Sequence, residues 1–246
     1  MHFILDIHCH TINSNHAYST ITENAAHAAS IGLTHIGIAD HGPGMPGGAH
    51  KYHFYNLGAL PKHIHGVRVL RGIEANILNR DGELDFPNDI LSRLDFVIAS
   101  MHREVILTSG VEANTATLVN AMQNPNVHII GHPNNIVYPI NIEEVVRAAA
   151  DTHTILEVNN HSLIPGSFRY NGEDEFVQML ELCKKYRVQV LASSDAHYHE
   201  AVGDFSYAKQ LIESAGLPND LVINTSAERL ADAVKKKSTI NKQSQV

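Results

Sequence analysis

Two short stretches carry polar pairs at a spacing that one metal ion could use. His8 and His10 stand in ILDIHCH, and Asp195 and His197 in LASSDAH. Alternate residues of an extended chain share one face, so each pair offers two ligand atoms to one point, with Cys9 turned the other way. The same character recurs beside other apolar runs. His41 follows IGIAD, Glu74 ends LRGIE, His102 follows VIASM and His132 follows HIIG. His16 lies in the loop after the first run, in NSNHAYST. Seven histidines and two carboxylates are too many for one zinc. At roughly three to five ligands per ion they match two or three ions. The chemistry indicated is multinuclear metal binding.

Each residue taken alone has a plainer explanation. Glu74 could form a buried ion pair with Arg71, His132 could end a strand before Pro133, and His41 could be a hydrogen-bonded turn residue. The paired spacings are harder to dismiss, because two polar groups at one apolar strand end need a shared reason. Asp6 and Asp40 precede ligand candidates and read equally as partners that orient imidazoles or as turn and capping residues. His161, after Asn159 and Asn160, is a candidate outer partner. Arg103 and Arg169 are candidates for phosphate or substrate contact, with solvated surface charge the favoured reading for both. His27, His63, His65, His128 and His153 read as helix-surface, loop or strand-start residues.

The elements that must position these groups alternate. Short apolar runs at 3–7, 34–39, 67–73, 96–100, 128–131, 155–158 and 189–193 read as strands buried on both faces. Amphipathic stretches near 22–31, 112–122, 142–150, 173–186, 206–215 and 227–236 read as helices. Repeated strand–helix units indicate an α/β fold. Seven strands without a Gly-rich dinucleotide signature favour a barrel over an open doubly wound sheet. In a barrel the carboxyl ends of the strands form the active rim, which is where all nine candidates fall. The Gly- and Pro-rich segment 41–53 reads as a long functional loop, and Asp81-Gly82 as a turn. No linker divides the chain.

Composition bounds the function. The chain has 246 residues, 18 histidines against 18 Lys plus Arg, two cysteines and a formal charge of −8. Three divalent cations would bring that charge to about −2, so part of the acidity could belong to a metal site. The negative balance argues against binding long nucleic acids or anionic membranes. Two cysteines exclude a disulfide scaffold and suit a reducing cytoplasm. No apolar run reaches the roughly 18 residues of a membrane span, and the opening MHFILDIHCH has no secretory signal.

Together, HCH at 8–10, DH at 40–41, the isolated Glu74, His102, GHP at 131–133 and SDAH at 194–197 resemble the PHP domain, the family named for polymerase and histidinol phosphatase. The runs HAYST, DHGPGMPGGAH, LRGIEANI, DGELD, NVHIIGHP and LEVNN look closer to one branch, the stand-alone trinuclear-zinc phosphatases of bacteria. The resemblance spans residues 1–235 as one domain and leaves 236–246 as a polar tail. It implies a distorted seven-stranded (βα) barrel and three zinc ions, with manganese or iron as substitutes. One ion would take His8, His10 and Asp195 and share Glu74 with a second, held also by His102 and His132. The third would take His16, His41 and His197. The implied reaction is hydrolysis of a small phosphate monoester by hydroxide bridging two ions, with Glu74, Asp195 and His197 as the catalytic residues. No GxSxG elbow or P-loop is present. The loop GMPGGAHKYHF does not map residue by residue, so substrate choice is unassigned. Related phosphatases form oligomers, and self-association fits this reading.

Four alternatives are distinguishable. A histidinol-phosphate phosphatase would prefer one amino-alcohol phosphate. A PHP-type phosphodiesterase or nuclease would cleave diesters. An amidohydrolase barrel would need a bridging Lys at a strand end, and no Lys stands there. A zinc-buffering protein would use flexible His-rich tracts rather than ligands spread along the rim.

Overall fold

The computed structural model describes residues 1–170 and 173–240. The apolar runs form β1 (Leu5–Cys9), β2 (His35–Ile38), β3 (His63–Ile64), β4 (Val67–Arg71), β5 (Glu74–Asn76), β6 (Ile98–Ser100), β7 (Ile129–Ile130), β8 (Ile155–Asn159) and β9 (Val190–Ser193). One sheet has the order β1-β2-β4-β3 and the other β5-β6-β7-β8-β9. All pairings are parallel except β3 with β4. Single parallel bridges, Cys9 with Ala196 and His41 with Glu74, connect the sheets.

Among the described residues, nine strands in two sheets stand where seven in one barrel were expected. One addition is the short hairpin of β3 on β4. Its two-residue turn, His65-Gly66, has φ of 51° and 82°, the left-handed pair that a tight hairpin requires. The other comes from a change of partner inside a single extended stretch. Gly72 N–H still donates to Ile38 on the β2 side, but Ile98 N–H already donates to Ile73 from β6. Gly72 lies against the Phe96 ring, where a Cβ would come within 2.2 Å of a ring atom. The expected strand 67–73 therefore stops at Arg71, and Glu74 opens β5 instead of closing a strand.

The helices are α1 (Ile21–Ser30), α2 (Lys51–Tyr55), α3 (Asn88–Leu91), α4 (Val111–Met122), α5 (Ile142–Thr152), α6 (Asn160–Leu163), α7 (Asp174–Tyr186), α8 (Ser206–Ser214) and α9 (Ala227–Ile240). A capping box starts α1, where Thr20 and Glu23 satisfy each other's backbone N–H. Their apolar faces join Ile36, Ile130, Leu156 and Val190 in the larger core. A second cluster joins Leu5, Ile7, Phe96, Ile98, Ile129, Ile155 and Leu191 to Leu230 and Ala233 of α9. Helix α9 runs beyond the expected 236, and Lys237 is buried, donating to Met122 O and Thr154 Oγ1. The remainder of the expected tail, 241–246, lies outside the described residues.

Candidate metal centre

Strand β1 begins and ends two residues later than expected, and its pairing with β2 slips between Asp6 and Cys9. One extra residue there reverses the alternation of side chains. Leu5 and Ile7 join the second core cluster, whereas Cys9 joins the larger helix-side core. His8 and His10, beyond the slip, face the carboxylates of the rim.

Glu74 is the centre of the arrangement. Its carboxylate oxygens lie 2.7 Å from His41 Nδ1, 3.0 Å from His132 Nε2, 3.3 Å from His102 Nε2, 3.4 Å from His8 Nε2 and 3.6 Å from His10 Nε2. The alternative partner Arg71 instead pairs with Asp95 at 3.1 Å. Asp195 lies 3.1 Å from His10 Nε2, 3.6 Å from His8 Nε2 and 3.7 Å from His197 Nδ1, and it accepts a hydrogen bond from Arg169 Nη2. The His16 ring lies 4.8 Å from that of His197 and 5.0 Å from that of His41. All nine residues picked out from the sequence therefore occupy one cluster.

Outer hydrogen bonds decide which ring nitrogen faces inward. His8 Nδ1 lies 2.5 Å from Glu157 Oε1, His102 Nδ1 lies 2.8 Å from Asn76 Oδ1, and His197 Nδ1 lies 2.9 Å from Asp195 O. Each of these partners can only accept in this arrangement, so Nδ1 carries a proton and Nε2 is the nitrogen turned to the rim as the ligand atom. His10 Nδ1 lies 3.1 Å from Ser14 Oγ, which spends its own proton on Asp40 Oδ1 at 2.7 Å. Asp40 thus acts on an imidazole through Ser14, and it also meets His53 Nε2 at 3.0 Å. Asp6 touches no imidazole; it accepts from Ser194 Oγ and Gly203 N.

This donor set fits metal ions. His8 Nε2, His41 Nδ1 and Glu74 Oε2 are buried and lack hydrogen-bond partners of acceptable geometry. Leaving such groups unsatisfied is costly unless something electron-accepting sits among them. Three groups of donors lie within 4.8 Å of one another: His10, His41 and His197; His8, His10 and Glu74; His41, Glu74 and His102. His10, His41 and Glu74 each fall in two groups, a tighter interleaving than three separate ligand sets.

Electrostatics reinforce the picture. Burial pushes the Glu74 carboxyl up, but the His102, His8 and His41 imidazoles hold it well below the usual carboxylate range. Asp195 is likewise held low against burial, chiefly by the Arg169 guanidinium. Burial together with His197 and His41 keeps His10 well below the ordinary imidazole value. Burial opposes charge on His8, yet Glu157, Glu74 and Asp195 raise it well above that value. Two site residues also occupy the left-handed region, His132 at φ 31° and Asp195 at φ 56°. Each such conformation costs about 1–3 kcal/mol and has to be enforced by its surroundings.

One group escaped the sequence reading. Glu157 is fully buried in β8 and receives Ser193 Oγ and His132 N–H, both at 2.5 Å, beside its contact with His8. A lone Glu inside the apolar run ILEVN was the available signal. Arg169 is buried rather than solvated, correcting the favoured reading, whereas Arg103 is exposed and pairs with Glu104 at 3.0 Å. His16, His41, His102, His197 and Asp195 line a cavity of about 490 Å³ with Met45, Pro46, Met101, Val137, Phe168 and Arg169. The unpartnered Nε of Arg169 is buried in this lining. His161 lines the cavity as well, with no hydrogen bond to a rim imidazole.

Comparison with known proteins supplies the family. A probable phosphatase of Clostridium novyi is 41% identical over 240 residues, covering 98% of both chains. One of Thermoanaerobacter sp. is 45% identical over 238 residues, covering 96% of both. Among solved structures, the histidinol phosphate phosphatase of Lactococcus lactis, in complex with zinc, L-histidinol and phosphate, shares the fold with a TM-score of 0.62 at 20% identity. It is matched over 87% of this chain and 94% of its own. A chain of archaeal ribonuclease P bound to mature tRNA has a TM-score of 0.57 at 13% identity, over 97% and 91% of the two chains. The PHP domain family model matches residues 6–238, and the chain belongs to that family.

Proposed function

We propose that residues 1–235 act as one metal-dependent phosphatase unit that hydrolyses small phosphate monoesters. The observation that carries this reading is the convergence of free donor atoms at one end of a cavity. Relatives described as probable phosphatases, at 41% and 45% identity, support it. The nine residues would hold three ions, with zinc favoured by the nitrogen-rich donor set. When bound, these ions supply a nucleophile ionised near neutral pH and positive charge for the phosphoryl oxygens.

The chain's own groups do the positioning. Glu74 would be shared between two ions, and Asp195 and His197 would complete the catalytic rim. Glu157 holds His8 in register. Arg169 keeps Asp195 ionised and directs its spare Nε–H to a phosphoryl oxygen. Met45, Pro46, Met101, Val137 and Phe168 shield the leaving group from water. The two bridged sheets serve as a broken barrel whose strand ends carry the ligands.

Elemental analysis of protein purified without chelator, beside p-nitrophenyl phosphate and bis-p-nitrophenyl phosphate assays, tests the reading. Close to three ions and a monoesterase abolished by chelation support it. One ion or fewer after replenishment, activity that survives chelation, or dominant diesterase activity would overturn it.

A further inference from the structure

The loop 41–53 is tied to the rim by a hydrogen-bond relay that runs through Asp85. This carboxylate accepts three N–H groups. Gly44 N–H reaches Oδ2 at 2.7 Å, Asn76 N–H reaches Oδ1 at 2.9 Å, and Asn76 Nδ2 reaches Oδ2 at 2.6 Å. The loop sits hard against it. A Cβ on Gly42 would come within 2.4 Å of Asp85 Oδ2, and one on Gly44 within 2.9 Å. Asn76 Nδ2 also donates to Gly42 O at 3.3 Å. Both acceptors around that amide demand its NH2 end, so the carbonyl end must point at His102 Nδ1, 2.8 Å away. The amide orientation of Asn76, and with it the tautomer of His102, is set by a residue that touches no rim imidazole.

We propose that Asp85 is a positioning residue that couples the seating of the 42–44 turn to the state of His102, keeping Nε2 free as a ligand while the loop is in place. The proposal rests on the reading of the rim as a metal centre. Replacing Asp85 by Asn offers Asn76 an amide NH2 in place of a carboxylate oxygen. Asn76 can then turn over, present its own NH2 to His102 Nδ1, and leave the ring proton on Nε2.

The test is Asp85→Asn, with Gly44→Ala as a milder change that pushes the turn off the carboxylate without removing it. Asp81→Asn, on the exposed turn closed by the Ile77–Leu84 antiparallel bridge, is the control. In metal-free protein with 15N-labelled histidine, long-range 1H–15N spectra assign the tautomer of each ring. Wild type and Asp81→Asn should show His102 protonated on Nδ1, and Asp85→Asn should show a substantial Nε2-protonated population. In metal-loaded protein, release to a chromogenic chelator should become about 10- to 100-fold faster for one ion in Asp85→Asn, the range typical of lost outer partners. A smaller acceleration is expected in Gly44→Ala. An unchanged His102 tautomer in both variants, or release as slow as in wild type, would overturn the proposal. A wild-type chain that takes up no metal would instead overturn the reading of the rim, and the tautomer spectra would still decide the role of Asp85.

Discussion

His128 and His132 flank the two-residue strand β7, and each is 3% exposed, yet they sit in opposite electrostatic worlds. At the amino end, His128 Nδ1 accepts Val97 N–H at 3.0 Å, and Nε2 reaches Ser238 Oγ at 3.3 Å. Both nitrogens are used, and the nearby charge is the Lys237 ammonium. At the carboxyl end, His132 Nε2 faces Glu74 among six further imidazoles, where several lone pairs have no protein partner. A buried histidine is therefore not in itself a sign of chemistry. What marks the rim is that its donors converge and stay unsatisfied, whereas the base is closed.

The sharpest way to break this contrast is at Glu74. Glu74→Gln keeps the shape and removes the charge that would screen two cations from each other. It should lose about two ions and lower monoesterase kcat/KM by about 100-fold or more. His16→Ala, at the edge of the cluster, should lose about one ion, and His128→Gln none. Elemental analysis of the three variants side by side checks this ordering, and full metal occupancy in Glu74→Gln would defeat the shared-ligand role.

A smaller effect is expected at Arg169. Lys in its place keeps a cation near Asp195 but loses the planar fork, so kcat/KM should fall about 10- to 100-fold with metal content unchanged. Parallel steady-state kinetics and metal analysis separate the two effects. Loss of an ion would make Arg169 a guardian of the ligand set rather than a contact of the phosphoryl group.

At the base, the expected effect is on stability. Burial, reinforced by Lys237, pushes the His128 imidazole down to about 4. Its folded value lies below the roughly 6.5 of a free side chain, so its contribution is full above about pH 6.5 and is lost as pH falls towards 4, by about 3 kcal/mol. Urea titrations of metal-free wild type and His128→Gln between those limits should converge as the pH falls. A constant gap would show that His128 does not titrate there.

A shift of similar size, in the alkaline range, concerns Lys237, which burial lowers to about 8. Its unfolded value is higher, so wild type should gain stability relative to Lys237→Met as pH rises from about 8 to about 10.5. At neutral pH the two should differ little, since removing the buried cation also removes the donor to Met122 O and Thr154 Oγ1. Thermal melts across that range check the sign.

Much of this was readable in the chain because it is local. Apolar runs located the long strands, amphipathic stretches located the long helices within a few residues, and strand alternation puts His8 and His10 on one face. Asp195 and His197 lie beyond β9, where the left-handed backbone at Asp195 and not strand alternation brings them together. Three-dimensional folding decided the rest. The slip in β1 that lets Ile7 and His8 serve the same interior, and the partner change at Gly72 that splits the sheet, depend on how strands meet. Burial of Arg169 on Asp195, of Glu157 beneath His8, and of Asp85 behind Asn76 and His102 joins residues far apart in the sequence. Side-chain periodicity says which face a residue takes; it carries no information about which distant donor will meet it there, because that choice is made by the packing of whole elements.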